Sequence, residues 1–280
     1  MADLQDTVLA TLRETDRDRY LACLLSPEDK RPALAALYAF NAELARVRDM
    51  VREPLPGEIR LQWWRDLLEG AEHGDAGGNP VAAALLSAIG QHHLPRTSLV
   101  AMIDARIRDL YDDPMVDRYE LEGYAGETAS ALIQLASLVL SAKDAVHSAE
   151  AAGHAGVAQA IAGLLLLMPQ HRRRGQLYLP LDILAATGLD RDAFLAGDDT
   201  AKVSAAIEAF AGLGLEHLAK ARNAAKISKL VFPAFLPVAL AEPVLRRAVR
   251  EKAGVLQGHL QPSQWRRQLR LMRAHLLQRF

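Results

Sequence analysis

Arg172, Arg173 and Arg174, consecutive in "HRRRG", are the most pointed charge cluster in the sequence. Each guanidinium presents a planar fork of N–H donors that matches phosphate or carboxylate oxygens. The cluster reads as a contact for a phosphate, an acidic partner or a lipid headgroup, with a solvated loop as the plain alternative. Asp109, Asp112 and Asp113 in "DLYDD" have the i, i+3, i+4 spacing of a metal box. They sit at a helix end before Pro114 with no convergent partner, so a polar turn is the expectation. His92 and His93 are adjacent, point to different sides of a helix and cannot share a metal; solvent exposure is expected. Cys23, the one cysteine, reads as a buried thiol and excludes a disulfide or multi-cysteine metal site within the chain. In "YAFNAELARVRD", Arg46 stands about one turn from Asn41 and from Asp49, close enough for a hydrogen bond or salt bridge.

The elements that must position these groups read as helices. Pro32 suits a first helical turn, and "PALAALYAFNAELARVRDMV" continues without a breaker. Leu34, Leu37, Phe40, Leu44, Val47 and Val51 recur at steps of three and four, which predicts one buried stripe. "EPLPGE" is expected to end that helix, and "IRLQWWRDLLEGAEHG" to form the next, with Trp63, Leu67 and Leu68 in the core. Trp63 and Trp64 are neighbours, so at most one faces the core fully. "HGDAGGNP" reads as a loop, "PVAAALLSAIGQHHL" as a helix, and "RTSLVAMIDARIRDLYDD" as a helix between Pro95 and Pro114. The long helix "YELEGYAGETASALIQLASLVLS" carries Ala125, Gly126, Ala129 and Ser130, small enough for a neighbouring backbone or a ligand to come close. "AAGHAGVAQAIAGLLLLMP" is expected to stop at Pro169, too short to span a bilayer. A basic loop and an extended "LYLPLDIL" come next, then two or three helices interrupted at "VFPAFLP". No repeat or linker marks a boundary, so one helical domain over residues 1–280 is the simplest account.

Composition agrees with an all-α class: half the residues are apolar, 5% are aromatic, and Ala and Leu are plentiful. A net charge of −1 supplies no global field for nucleic acid. From Arg246 to the end, nine Lys or Arg face one acidic residue, Glu251, so this segment can meet an anionic membrane or an acidic partner. The N-terminus is acidic and broken by charges, unlike a secretory signal or mitochondrial presequence. The expected location is cytoplasmic, with any membrane contact peripheral, at the inner membrane.

"RPALAALYAF", "QWWRD", "ELEGYAGETA", "GVAQ" and "RRRGQLYLP", in this order over about residues 16–240, resemble the squalene/phytoene synthase family of head-to-head prenyl transferases. The resemblance implies an isoprenoid-synthase-like bundle of helices around a central cavity. It also implies two aspartate-rich segments facing each other across the cavity mouth, where Mg²⁺ bridges carboxylates to a prenyl diphosphate.

The sequence departs from that pattern in both segments. The first has Ala45, Arg46 and Asp49 where three carboxylates belong. The second has Ala162, Leu165, Leu166 and Gln170, and no Asp or Glu lies between Ala151 and Leu181. The same losses, with "AFNAELARVRD", "RLQWW" and "FPAFLP", look like the branch of respiratory complex I assembly factors. That resemblance implies a pseudoenzyme without a metal or other cofactor, assisting assembly of a membrane NADH dehydrogenase. Its partners would be subunits of that complex or a prenyl lipid. Tyr38, Asn41, Arg46, Asp49, Gln159 and Tyr178 would be remnants of the pocket. The rival is an active Mg²⁺-dependent transferase using Asp49, the Asp109 cluster and the arginines.

Overall fold

The computed structural model describes residues 2–70, 78–197, 199–224, 227–258 and 260–280, and among these there is no strand. The chain enters through α1 (Ala2–Thr15) and α2 (Arg17–Leu24), followed by α3 (Arg31–Met50) and α4 (Pro54–Glu69). "PLPG" is thus the first turn of α4, where proline gives up no hydrogen bond, and not a break before it. Most of the glycine-rich "HGDAGGNP" lies outside the described residues. Then come α5 (Pro80–His92), α6 (Arg96–Ile107), α7 (Arg118–Ala125), α8 (Ala131–Leu140) and the short α9 (Ala142–Ala145). Asn79 starts α5 by accepting from the amides of Val81 and Ala82 at 2.9 and 3.2 Å.

The single stripe expected for α3 is too narrow. Every residue from Ala33 to Ala42 is buried, because α1, α5 and α8 pack around it and its alanines admit them closely. In α4, Trp64 rather than Trp63 takes the core position, edge-on to Phe40 at 5.0 Å. Cys23 is fully buried, and burial pushes its thiol well above the usual range.

The second half is organised by α10 (Ala149–Arg173), which packs along α13 (Thr200–Asn223). Pro169 does not end α10; the helix runs through it, and His171–Arg173 form its last turn instead of a loop. The stretch Ala142–Arg173 holds an 18-residue window of mean hydropathy 1.6 and is therefore long and apolar enough to cross a membrane by length and composition. In the bundle it is a core helix, with 61% of its apolar window buried. "LYLPLDIL" is extended only to Pro180, where α11 (Leu181–Ala186) begins, before α12 (Arg191–Ala196). "FPAFLP" lies in a buried 3₁₀ helix, Phe232–Leu240, that leads into α14 (Ala241–Glu251); α15 (Gln264–Leu277) closes the series.

Between α7 and α8 the backbone widens into a π-helical turn, Gly126–Ser130. Ser130 Oγ donates to the Gly153 carbonyl at 2.8 Å, and Gly156 of α10 lies directly against the Ser130 backbone. The small residues of this segment do bring two backbones together. The result is the helical bundle around a central cavity that the resemblance implied.

Candidate functional site

A cavity of about 410 Å³ opens between α3 and α10, and α2, α6, α7, the π-helical turn, α14 and α15 also contribute to its wall. Asn41, Ala42, Ala45, Arg46 and Asp49 look into it from α3. Gln159, Ala162, Gly163, Leu166, Leu167 and Gln170 form the facing stripe of α10. Leu165 turns away into the core, one helix face removed from Leu166. At the mouth, Asp49 does not pair with Arg46 along its own helix. It accepts from Arg174 at 2.6 Å and from Gln170 at 3.2 Å, so an ion pair joins the two segments.

Deeper in the cavity sits a polar cluster at the place where the sequence predicts a surface turn. Asp109 is buried, and its Oδ1 accepts from the Tyr178 hydroxyl at 2.8 Å while Oδ2 accepts from Arg106 at 2.9 Å. The Tyr124 hydroxyl donates to the same carboxylate at 3.0 Å and accepts from Arg106 at 2.6 Å. Gln176 donates to the Asp109 backbone carbonyl at 3.0 Å. Burial pushes both phenols above their usual range, and the Asp109 carboxylate adds to this.

The His171 ring packs 4.6 Å from Tyr178, and burial lowers its pKa from 6.5 to about 4, the Arg174 guanidinium acting in the same direction against Asp109 and Asp49. The unfolded chain therefore binds more protons between pH 6.5 and about 4, and stability falls as pH drops through that window. His171→Gln is expected to flatten the loss by roughly 1–3 kcal/mol. Urea midpoints at pH 7 and pH 4.5 check this.

The charge of the wall follows from its pairing. Its four carboxylates each meet an arginine of the same wall: Asp16 with Arg19 at 2.5 Å, Asp18 with Arg267, Asp49 with Arg174, and Asp109 with Arg106. Arg46 and Arg48 remain beyond these pairs. Arg48 reaches Asp112 at 4.0 Å, and its Nε is buried without a hydrogen-bond partner. The cavity thus joins a surplus of arginine at the mouth to an aliphatic side. That suits an anionic head with an apolar tail.

The Mg²⁺ that the resemblance implies does not fit this donor set. Asp49 is already occupied by two donors, and Ala162 and Leu166 opposite offer no oxygen. Asp109 is saturated by a guanidinium and two phenols. Among the described residues, no group of three or more His, Cys, Asp or Glu could hold a metal ion.

Of the residues singled out from the sequence, Asn41, Arg46, Asp49, Gln159, Tyr178 and Arg174 line the cavity. Tyr38 does not: α2 covers it, with the Arg19 guanidinium 5.9 Å above its ring. Arg172 turns outward to the carbonyls of Leu195 and Ala196, both at 2.6 Å, and Arg173 is exposed. His93 is exposed and His92 only partly so. His171, which opens "HRRRG", also lines the cavity, whereas Arg106 and Tyr124 are cavity residues that the sequence does not single out; the one local signal is the i, i+3 spacing of Arg106 and Asp109.

The squalene/phytoene synthase family model matches residues 12–269. "NADH dehydrogenase (ubiquinone) complex I, assembly factor 6" of Rattus norvegicus is 35% identical over 254 residues, covering 90% of this chain and 76% of the relative. The Homo sapiens protein of the same name matches to the same extent. Among solved structures, a dehydrosqualene synthase in complex with ligand aligns with a TM-score of 0.77 at 16% identity, over 99% of this chain and 97% of its own. Squalene synthase HpnC from Alicyclobacillus acidocaldarius aligns at 0.64, also at 16% identity, over 98% and 94%. With a synthase-type bundle and a family match spanning nearly its whole length, the chain belongs to the squalene/phytoene synthase family.

Proposed function

We propose that this protein is an assembly factor for a respiratory NADH dehydrogenase, built on a prenyl-synthase scaffold that no longer performs metal-dependent prenyl transfer. The observation that carries this reading is the mouth of the cavity, where Arg174 holds the lone Asp49 and α10 opposes it with aliphatic side chains. A diphosphate leaving group needs a cation bridged to carboxylates, and these positions supply none to spare. The names of the relatives support the assembly role. In this reading the cavity takes a prenyl or other lipid chain with an anionic head, held by arginine without a metal. The protein works in the cytoplasm, against the inner membrane.

Calorimetric titration with farnesyl or geranylgeranyl diphosphate, with and without Mg²⁺, tests the chemistry. Binding indifferent to Mg²⁺, or none, is expected; strongly Mg²⁺-dependent binding with release of pyrophosphate would reinstate a transferase. Deletion of the gene tests the role. Assembled NADH dehydrogenase on native gels should fall severalfold while membrane isoprenoids stay unchanged. Unchanged enzyme levels would sink the assembly reading.

A further inference from the structure

α15 has two apolar faces. Leu271 and Ala274 pack inward against Phe232, Leu236 and Ala22. Trp265, Leu269, Met272 and Leu276 lie on the opposite side, 61%, 58%, 54% and 77% exposed. At 3.6 residues per turn these four fall within about 60° of one another, a ridge along the full helix. Arg266, Arg270 and Arg273 run beside the ridge, all exposed, and none has a carboxylate within ion-pair distance among the described residues. No Asp or Glu occurs after Glu251. The groove on the helix's flank brings Arg13 and Arg17 together with Asp6 and Glu14, so it adds no net charge.

The ridge is held firmly. Arg267 is tied to Asp18, and Phe280 stacks on Phe235 at 5.8 Å, with its carbonyl accepting from Arg222 at 2.7 Å. An outward apolar ridge on a helix fixed by its other face is not a frayed end waiting for its own core.

We propose that α15 docks the protein flat on an anionic lipid bilayer, with Trp265, Leu269, Met272 and Leu276 entering the acyl boundary and the three arginines lying among the headgroups. The charged side chains that α15 itself sets beside the ridge are all basic, and tryptophan with aliphatic residues beside arginine suits the membrane interface. A protein partner fits less well. A single helix with five exposed apolar side chains, counting Leu277, supplies only part of the roughly 20–30 residues a side, polar ones included, that a stable protein interface uses. A bilayer accepts a convex ridge without a matching groove. This proposal rests on the membrane contact proposed above and gives it a surface. It is read without reference to the cavity, so its failure would leave the assembly reading standing.

The test is sedimentation of the full chain with vesicles of phosphatidylcholine alone or with a third phosphatidylglycerol. Binding to the anionic vesicles is expected, with a blue shift of tryptophan emission that Trp265→Phe removes, and little binding to neutral ones. Leu269→Glu with Met272→Glu should weaken binding at least tenfold, and each of Arg270→Gln and Arg273→Gln about fivefold. Because these side chains face solvent, thermal melting should not change, which separates lost docking from lost folding. No sedimentation with anionic vesicles, or binding undiminished in the Leu269/Met272 variant, overturns the proposal. So does a dimer in sedimentation velocity that the same variant dissolves, which would make a second copy the occupant.

Discussion

Gly156→Val is expected to leave the protein largely unfolded, and Gly156→Ala to lower the melting temperature by roughly 5–10 °C. A Cβ at this position would stand 2.2 Å from Ser130 Oγ, 2.3 Å from its amide nitrogen and 2.4 Å from its Cα. Two of these are backbone atoms inside the π-helical turn and cannot swing aside as a side-chain tip would. Relief would require α10 to back away from the turn, which breaks the Ser130–Gly153 hydrogen bond and opens the core around Val157 and Ile161. Gly163→Ala is the matched control on the same helix. A Cβ there meets nothing within 4 Å, so the change should be neutral or add up to about 1 kcal/mol through helix propensity. Differential scanning calorimetry of the three proteins decides it; equal melting temperatures would show that the two backbones are not in contact.

Asp109→Ala should be nearly as damaging, at about 3–5 kcal/mol, for electrostatic rather than steric reasons. It strands the Arg106 guanidinium, only 18% exposed, and takes the acceptor from Tyr124 and Tyr178. Asp109→Asn keeps one acceptor oxygen and should cost less. In the double variant Asp109→Leu with Arg106→Met neither charge is left alone, and the loss should be well below that of Asp109→Ala. Chemical denaturation at pH 7 measures all three. A double variant that loses as much as Asp109→Ala would mean that the stranded charge is not the source of the cost.

The parts of this fold legible in the sequence are those fixed by local chemistry. Pro32 and Pro95 begin helices where their residue types suit a helix start. The carboxylate-poor stripe of α10 is equally plain, because facing residues recur at helical steps. Pro169 misleads because a proline rule is local, whereas the last turn of α10 is held from outside: Arg172 is tied to two carbonyls at the end of α12. Helical spacing points the bridge from Asp49 along its own helix. It goes instead to residues more than a hundred positions away, and no spacing announces that. Asp109 reads as a surface turn because its burial is supplied by Tyr124 and Tyr178, which only the tertiary fold brings over it.

The touching backbones of Gly156 and Ser130 also fix one edge of the chamber. On that edge α10 is pinned against the π-helical turn. At its far end α10 reaches α3 through Gln170 and Arg174 on Asp49; the ion-paired side chains of Asp49 and Arg174 are 47% and 32% exposed, and water screens their attraction. Of these two attachments of α10, the one between α3 and the end of α10 is the more open to water. It is made of the group an anionic guest would seek. An anionic headgroup arriving at Arg174 would compete with Asp49 for the same guanidinium.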